Sequence, residues 1–94
     1  MYDEHSMKDL IDSFLSKNDK SKLYHERLAV DLWKNETGSF IAQNTGKVQI
    51  RNGVLYIQIL NASLKFELLG RKSSLIEDLN KKIGEDVVKD IIFT

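Results

Sequence analysis

The feature that most constrains the fold is an Asn52-Gly53 pair between two segments of alternating hydrophobicity. Asn-Gly is the preferred pair for a two-residue type I′ turn, because both turn positions need a positive φ. Aliphatic residues occupy every second position from Val48 to Ile50 and again from Leu55 to Ile59. Since a period of two is that of a strand, the sequence predicts an antiparallel β-hairpin turned at Asn52-Gly53.

The turn length fixes which residues of the two strands pair. Paired residues share a face of the sheet, so the aliphatic partners lie together on one face and the polar residues on the other. The predicted pairs are Arg51–Val54, Ile50–Leu55, Gln49–Tyr56, Val48–Ile57 and Lys47–Gln58. The apolar face is expected to cover the core.

Helical periodicity precedes the hairpin. Apolar residues at i, i+3, i+4, i+7 and i+8 predict an amphipathic helix over residues 7–15. A second helix is predicted around residues 23–33, and Gly38 stands where a glycine commonly ends a helix. Trp33 and Phe40 are expected in the core, with a partly exposed Trp33 at a partner surface as the alternative.

After the hairpin the apolar spacing is again helical, from Ala62 to Ile83, and Gly84 is a good terminator. Either one helix runs through Gly70, or two helices meet at Gly70-Arg71-Lys72-Ser73. β-branched and aromatic residues in 87–93 predict a last strand.

These elements predict an α+β fold in the order α-α-β-β-α(α)-β, with helices packed on one face of a three-stranded sheet. A chain of 94 residues has the length of one domain, 1–94, in which residues 1–5 are expected to form a disordered tail. With no cysteine, no secretory signal and no membrane-length apolar run, a cytoplasmic location is expected.

The sequence lacks the motifs that carry catalytic or metal chemistry. The two histidines, His5 and His25, lie on different predicted elements, and the chain has no glycine-rich phosphate loop and no nucleophile–base motif. We therefore expect no enzymatic activity, no metal and no cofactor.

The charge distribution is more informative than the zero net charge. Between Lys47 and Lys82 there are seven basic and three acidic residues. On the polar face of the hairpin, Tyr56 lies among basic and amide side chains, an arrangement that stacks a nucleic-acid base, although it also stabilises strand pairs. The candidate nucleic-acid-binding residues are Lys47, Gln49, Arg51, Tyr56, Gln58, Lys65, Arg71 and Lys72.

Several short motifs, taken together in their order, resemble a known family. They are Trp33 followed by Gly38, Thr45, Asn52-Gly53-x-Leu55-x-Ile57-x-Ile59, Glu67-Leu68, Leu79-Asn80-x-x-Ile83-Gly84 and Ile91-Ile92-Phe93. From about Met7 to its C-terminus the sequence is similar to the DciA-like family, long catalogued as a domain of unknown function. It resembles most the short, single-domain members of Bacteroidetes-type bacteria.

The resemblance implies a KH-like fold and a role in loading the replicative helicase during bacterial DNA replication, with contacts to helicase and DNA. Three departures stand out. Leu64 replaces a tryptophan that the family often carries, the additional basic segment of longer members is missing, and a cysteine-free chain cannot form the zinc ribbon described for some relatives. Gly70-Arg71-Lys72-Ser73 is the nearest counterpart of the KH loop G-x-x-G but lacks its second glycine.

Two alternatives to a replication adaptor remain open at this point. One is a KH-like module that binds RNA, and the other is a protein–protein interaction domain without affinity for nucleic acid, which the zero net charge permits.

Overall fold

The computed structural model describes residues 20–94, without the side chain of Lys20. Its elements are α1 (Lys20–Glu36), α2 (Ser39–Gln43), β1 (Thr45–Arg51), β2 (Val54–Ile59), α3 (Ala62–Leu69), α4 (Lys72–Ile83) and β3 (Asp90–Phe93). The predicted helix over residues 7–15 and the predicted tail over residues 1–5 lie outside the described residues. The α+β class and the order of elements after residue 20 are confirmed, with the short helix α2 as an addition.

The hairpin forms at the predicted turn. Asn52 and Gly53 have φ values of 53° and 82°, as a type I′ turn requires. Four of the five predicted pairs, from Val48–Ile57 to Arg51–Val54, are present. The strands lie in the order β1-β2-β3, with β1 antiparallel and β3 parallel to the central β2.

The predicted Lys47–Gln58 pair is wrong. The ladder shifts between Thr45 and Val48, because Thr45 pairs with Ile59 and one extra residue of β1 is accommodated as a bulge. The backbone N–H of Lys47 donates instead to the side-chain Oε1 of Gln58, over 3.1 Å. Alternating hydrophobicity does not reveal a bulge at Gly46-Lys47, since neither residue is aliphatic.

The helices cover one face of the sheet, as expected. Their core residues meet those of β2 and β3 around Trp33, which is fully buried and whose ring lies 5.9 Å from that of Phe93. The indole N–H donates to the Thr45 hydroxyl over 3.3 Å. The buried core comprises Ala29, Trp33, Leu55, Ile57, Ile59, Leu64, Leu68, Leu79, Val88, Ile91 and Phe93. Trp33 is thereby confirmed as a core residue.

The expectation for Phe40 is wrong, because its side chain is 61% exposed. It lies on α2, a helix of five residues whose neighbouring Ile41 packs against the core instead. One apolar position of this short helix is thus directed inward and the adjacent one outward.

Two helices, rather than one, follow the hairpin. α3 ends at Leu69 and α4 begins at Lys72, and Gly70 and Arg71 form the junction between them. Asn61 caps α3 by accepting a hydrogen bond from the N–H of Leu64 over 2.9 Å. Gly38 follows the end of α1 with φ 96°, and Gly84 ends α4 with φ 89°, as predicted for both.

The last strand is shorter than predicted, because Val87 and Val88 precede it. Their backbone N–H groups donate to the side-chain oxygen of Asn80, over 3.1 and 2.8 Å. The Asn80 amide also donates to the Val88 carbonyl, over 2.9 Å. The Asn80 side chain of α4 therefore provides the hydrogen-bond partners that a neighbouring strand would otherwise provide for the backbone of this segment.

Candidate nucleic-acid interface

The face of the sheet opposite the helices carries a continuous set of polar side chains, which we call the open face. A shallow cavity of about 430 Å³ on it is lined by Lys47, Gln49, Arg51, Tyr56, Gln58 and Thr94. Five of these six are residues that the sequence nominates for nucleic-acid binding. The hairpin register brings them together, because odd-numbered residues of β1 share this face with even-numbered residues of β2.

The only charged side chains that line this cavity are positive. Lys47 and Arg51 are exposed cations, and none of the other four lining residues is acidic. The nearest acid by strand register is Asp90, which pairs with Val54 at one corner of the sheet. Its carboxylate accepts from the N–H of Ile91 at 2.8 Å and lies 3.3 Å from the Lys72 ammonium. The Asp90 charge is therefore already compensated.

Tyr56 lies in the central strand between two neighbours that hold its position. Gln49 pairs with it on the β1 side and Ile92 on the β3 side. The tyrosine is half-buried, so part of its ring remains available to a ligand. An aromatic ring held on an open sheet between cations can stack a base while those cations contact phosphates.

The remaining nominated cations lie elsewhere. Lys65 is on α3 and Arg71 on the junction, both on the helical side of the sheet. The Arg71 guanidinium lies 4.0 Å from the Glu67 carboxylate. The Lys72 ammonium forms an ion pair with Asp90, the first residue of β3. The structure therefore divides the eight nominated residues, with five on the open face and three away from it.

The Gly70-Arg71-Lys72-Ser73 segment does not form a four-residue loop. Lys72 and Ser73 already belong to the first turn of α4, and Gly70 has right-handed helical φ and ψ values of −71° and −12°. Only two residues separate the helices. A clamp on backbone phosphates of the G-x-x-G kind would need a longer and more open connection.

A second cavity, at the tip of the hairpin, was not anticipated from the sequence. It lies between α1, the turn and the segment before β3, and its volume is about 440 Å³. Glu26, only 9% exposed, accepts a hydrogen bond there from the Gly53 N–H over 3.2 Å. The sequence did hold a signal, since Glu26 shares the helical face of Ala29 and Trp33 at i, i+3 and i+7. An acid within an apolar stripe indicates a buried partner.

Other features of the described residues concern metals, membranes and protein contacts. Within residues 20–94 no three His, Asp or Glu side chains are grouped to hold a metal ion. In the same part of the chain no helix combines the length and apolarity needed to cross a membrane. Large apolar side chains are exposed on the helical side and its connections, among them Phe40, Leu60, Phe66 and Leu69.

The comparison with protein families agrees with the fold and the motifs. The family model described as "Dna[CI] antecedent, DciA" matches residues 6–93, nearly the whole chain. The chain belongs to the DciA family. The resemblance inferred from the short motifs is thereby confirmed, and the DciA family is linked to helicase loading in bacterial DNA replication. A search of curated proteins found no match.

Leu64 has a clear place in this DciA-family chain. The resemblance described above implies a tryptophan at this position in many members of the family. Here Leu64 is 5% exposed and belongs to the buried core under α3. The neighbouring outward position is Phe66, which is 80% exposed. An aromatic side chain is therefore present on the surface of α3, two residues further along the chain.

Proposed function

We propose that this chain is a non-catalytic adaptor of bacterial DNA replication, which contacts the replicative helicase with one surface and nucleic acid with another. The observation that carries the proposal is the cavity on the open face, which is lined by basic, amide and aromatic side chains and by no acidic one, in a member of the DciA family. As a replication factor, the protein would act as a single domain in the cytoplasm.

The nucleic-acid part of the proposal rests on ordinary electrostatics and stacking. Lys47 and Arg51 lie along β1 at the rim of the open face, where they can neutralise two phosphates and release their counterions. Tyr56 lies beside them, and stacking on an aromatic ring adds about 1–3 kcal/mol per base. The zero net charge of the chain matters less than this local imbalance, because screening limits the reach of distant acids to about 8–10 Å.

The protein-binding part rests on apolar side chains that the fold leaves outside the core. Phe66 is 80% exposed and Leu69 46%, and both lie on α3, whose Leu64 and Leu68 face inward. Exposed aromatic residues are enriched at protein interfaces. These residues are on the helical side, so helicase and nucleic acid would not compete for one surface.

Two binding measurements test the proposal. Fluorescence anisotropy with labelled single-stranded DNA, duplex DNA and RNA, repeated over a range of salt concentrations, should show affinity for DNA that falls steeply as salt rises. A pull-down with the purified replicative helicase should capture the protein. Tighter binding to RNA without helicase capture would instead indicate an RNA-binding module. Helicase capture without nucleic-acid binding would indicate a protein-interaction domain.

A further inference from the structure

The Gln58 amide on the open face is held in one orientation. Its Oε1 accepts the hydrogen bond from the Lys47 N–H at 3.1 Å. A backbone N–H can only donate, so the atom facing it must be the amide oxygen, and the Nε2 donors must point the other way. Gln58 is itself exposed, and these donors therefore remain available to a ligand.

Gly46 leaves room for this orientation. A Cβ atom built at Gly46 would overlap Gln58 Oε1 and would lie 3.0 Å from its Cδ. A side chain at position 46 would therefore move the flexible end of Gln58 away from the Lys47 N–H. The bulge and the glycine thus let the Lys47 N–H engage the amide oxygen of Gln58, so that the NH₂ group is directed to the other side.

Three of the side chains around Tyr56 share this donor character, whereas the fourth, Gln49, has an amide that can present either a donor or an acceptor. Lys47 and Arg51 carry donors and no acceptors, and Gln58 presents its NH₂ group. Bases differ in what they offer such a surface. Guanine and thymine carry a carbonyl acceptor where adenine and cytosine carry an amino donor. A donor facing a carbonyl forms a hydrogen bond, whereas a donor facing an amino group leaves both unpaired.

We infer that Gln58 makes the site prefer keto bases to amino bases when a base stacks on Tyr56. The Gln58 amide is oriented for this by the Lys47 N–H, in the space that Gly46 leaves open. The inference rests on the proposed function, because it names the base class preferred at the same site. It assigns separate tasks within the open face: Lys47 and Arg51 contact phosphates, Tyr56 stacks, and Gln58 discriminates.

The test compares two labelled 12-nucleotide DNA strands, one of deoxyuridine and one of deoxycytidine, by anisotropy at a single salt concentration. Uracil has a carbonyl at position 4 and a proton on N3, whereas cytosine has an amino group at position 4 and an unprotonated N3, and neither base carries a methyl group. One neutral hydrogen bond is expected to favour the deoxyuridine strand by about threefold to tenfold.

Three variants separate this effect from charge and from general stacking. Gln58→Glu can still accept from the Lys47 N–H but replaces the NH₂ donor by an acceptor, so the preference should vanish or reverse. Gln58→Met removes the NH₂ donor without adding a charge, so both strands should still bind while the preference vanishes. Gly46→Ala displaces the amide without any change of charge and should also abolish the preference.

The outcomes distinguish this inference from the proposal on which it rests. A wild-type preference that Gln58→Glu and Gly46→Ala both remove supports the assignment. Binding of both strands with the same ratio in all four proteins overturns the role of Gln58 and leaves nucleic-acid binding intact. Failure of the wild-type protein to bind either strand at low salt overturns both.

Discussion

The carboxylate of Glu26 accepts a hydrogen bond from the backbone N–H of Gly53 over 3.2 Å, and this contact joins α1 to the hairpin turn. The carbonyl of the same glycine accepts from the N–H of Lys89 over 2.7 Å. The turn is therefore held on one side by α1 and on the other by the segment that leads into β3. The two contacts fix the position of the turn in the fold, while the turn itself sets the register that places side chains on the open face.

Replacing Glu26 by alanine should destabilise the fold markedly. The change leaves the buried Gly53 N–H without an acceptor, which is expected to lower the free energy of unfolding by about 1–3 kcal/mol. The loss of unfolding free energy is measured by urea unfolding followed by circular dichroism.

Two further variants serve as controls. Glu26→Gln keeps an acceptor oxygen and should lower the free energy of unfolding by less than Glu26→Ala does. Glu36→Ala on the same helix removes an exposed pair with Lys82 at 3.9 Å and should change stability by less than about 0.5 kcal/mol. Equal effects of Glu26→Ala and Glu36→Ala would contradict this reading.

Alanine at Gly53 should be more damaging than alanine at Gly84. Both glycines have a positive φ, 82° and 89°, so both substitutions incur the left-handed backbone cost of about 1–2 kcal/mol. Only at Gly53 would the new Cβ meet neighbours, with Lys89 Cγ at 2.9 Å and the Val87 carbonyl oxygen at 3.1 Å. The difference between the thermal unfolding midpoints of Gly53→Ala and Gly84→Ala therefore measures the cost of the contact with Lys89 and Val87. Equal midpoints would show that the segment before β3 moves aside at no cost in stability.

Serine at Phe66 should weaken helicase capture without weakening the fold. The side chain is 80% exposed, so its removal is expected to change the free energy of unfolding by less than about 0.5 kcal/mol. Loss of an aromatic contact at a protein interface commonly costs more than 1 kcal/mol of binding, or about fivefold or more in affinity. Leu23→Ser on α1, at a side chain 65% exposed, is the matched control and should leave capture unchanged. An equal loss of helicase capture in Phe66→Ser and Leu23→Ser would contradict the assignment of α3 as the contact surface.

The hairpin was predictable because its determinants are local. The Asn52-Gly53 turn and the alternation on either side specify the register, which places Gln49, Arg51 and Tyr56 on one face. Lys47 and Gln58 line the same cavity although the bulge breaks their predicted pairing. Trp33, Gly38 and Gly84 were likewise predictable from helical spacing and from the preference of glycine for helix ends. Most of the candidate interface thus follows from residues close together in sequence.

The features that escaped prediction depend on contacts between distant segments. The bulge at Gly46-Lys47 is stabilised by the side chain of Gln58, eleven positions later. The late start of β3 depends on Asn80, which satisfies the backbone of Val87 and Val88. Glu26 binds a turn 27 residues away. In each case a polar side chain replaces a backbone partner. Hydrophobic periodicity indicates that Glu26 is buried, but it does not identify the distant partner in any of the three cases.

The most direct test of the proposed function is the salt dependence of DNA binding by charge variants of the two sides of the sheet. In the Lys47→Gln, Arg51→Gln double variant, two phosphate contacts are lost from the open face. The slope of log K against log salt concentration for single-stranded DNA should therefore decrease in magnitude by about 1.4. The Lys34→Gln, Lys81→Gln double variant removes the same charge from exposed positions of α1 and α4, and its slope should match the wild type. Equal slopes in both double variants, or the larger change in the helical-side variant, would contradict the assignment of the open face as the nucleic-acid interface.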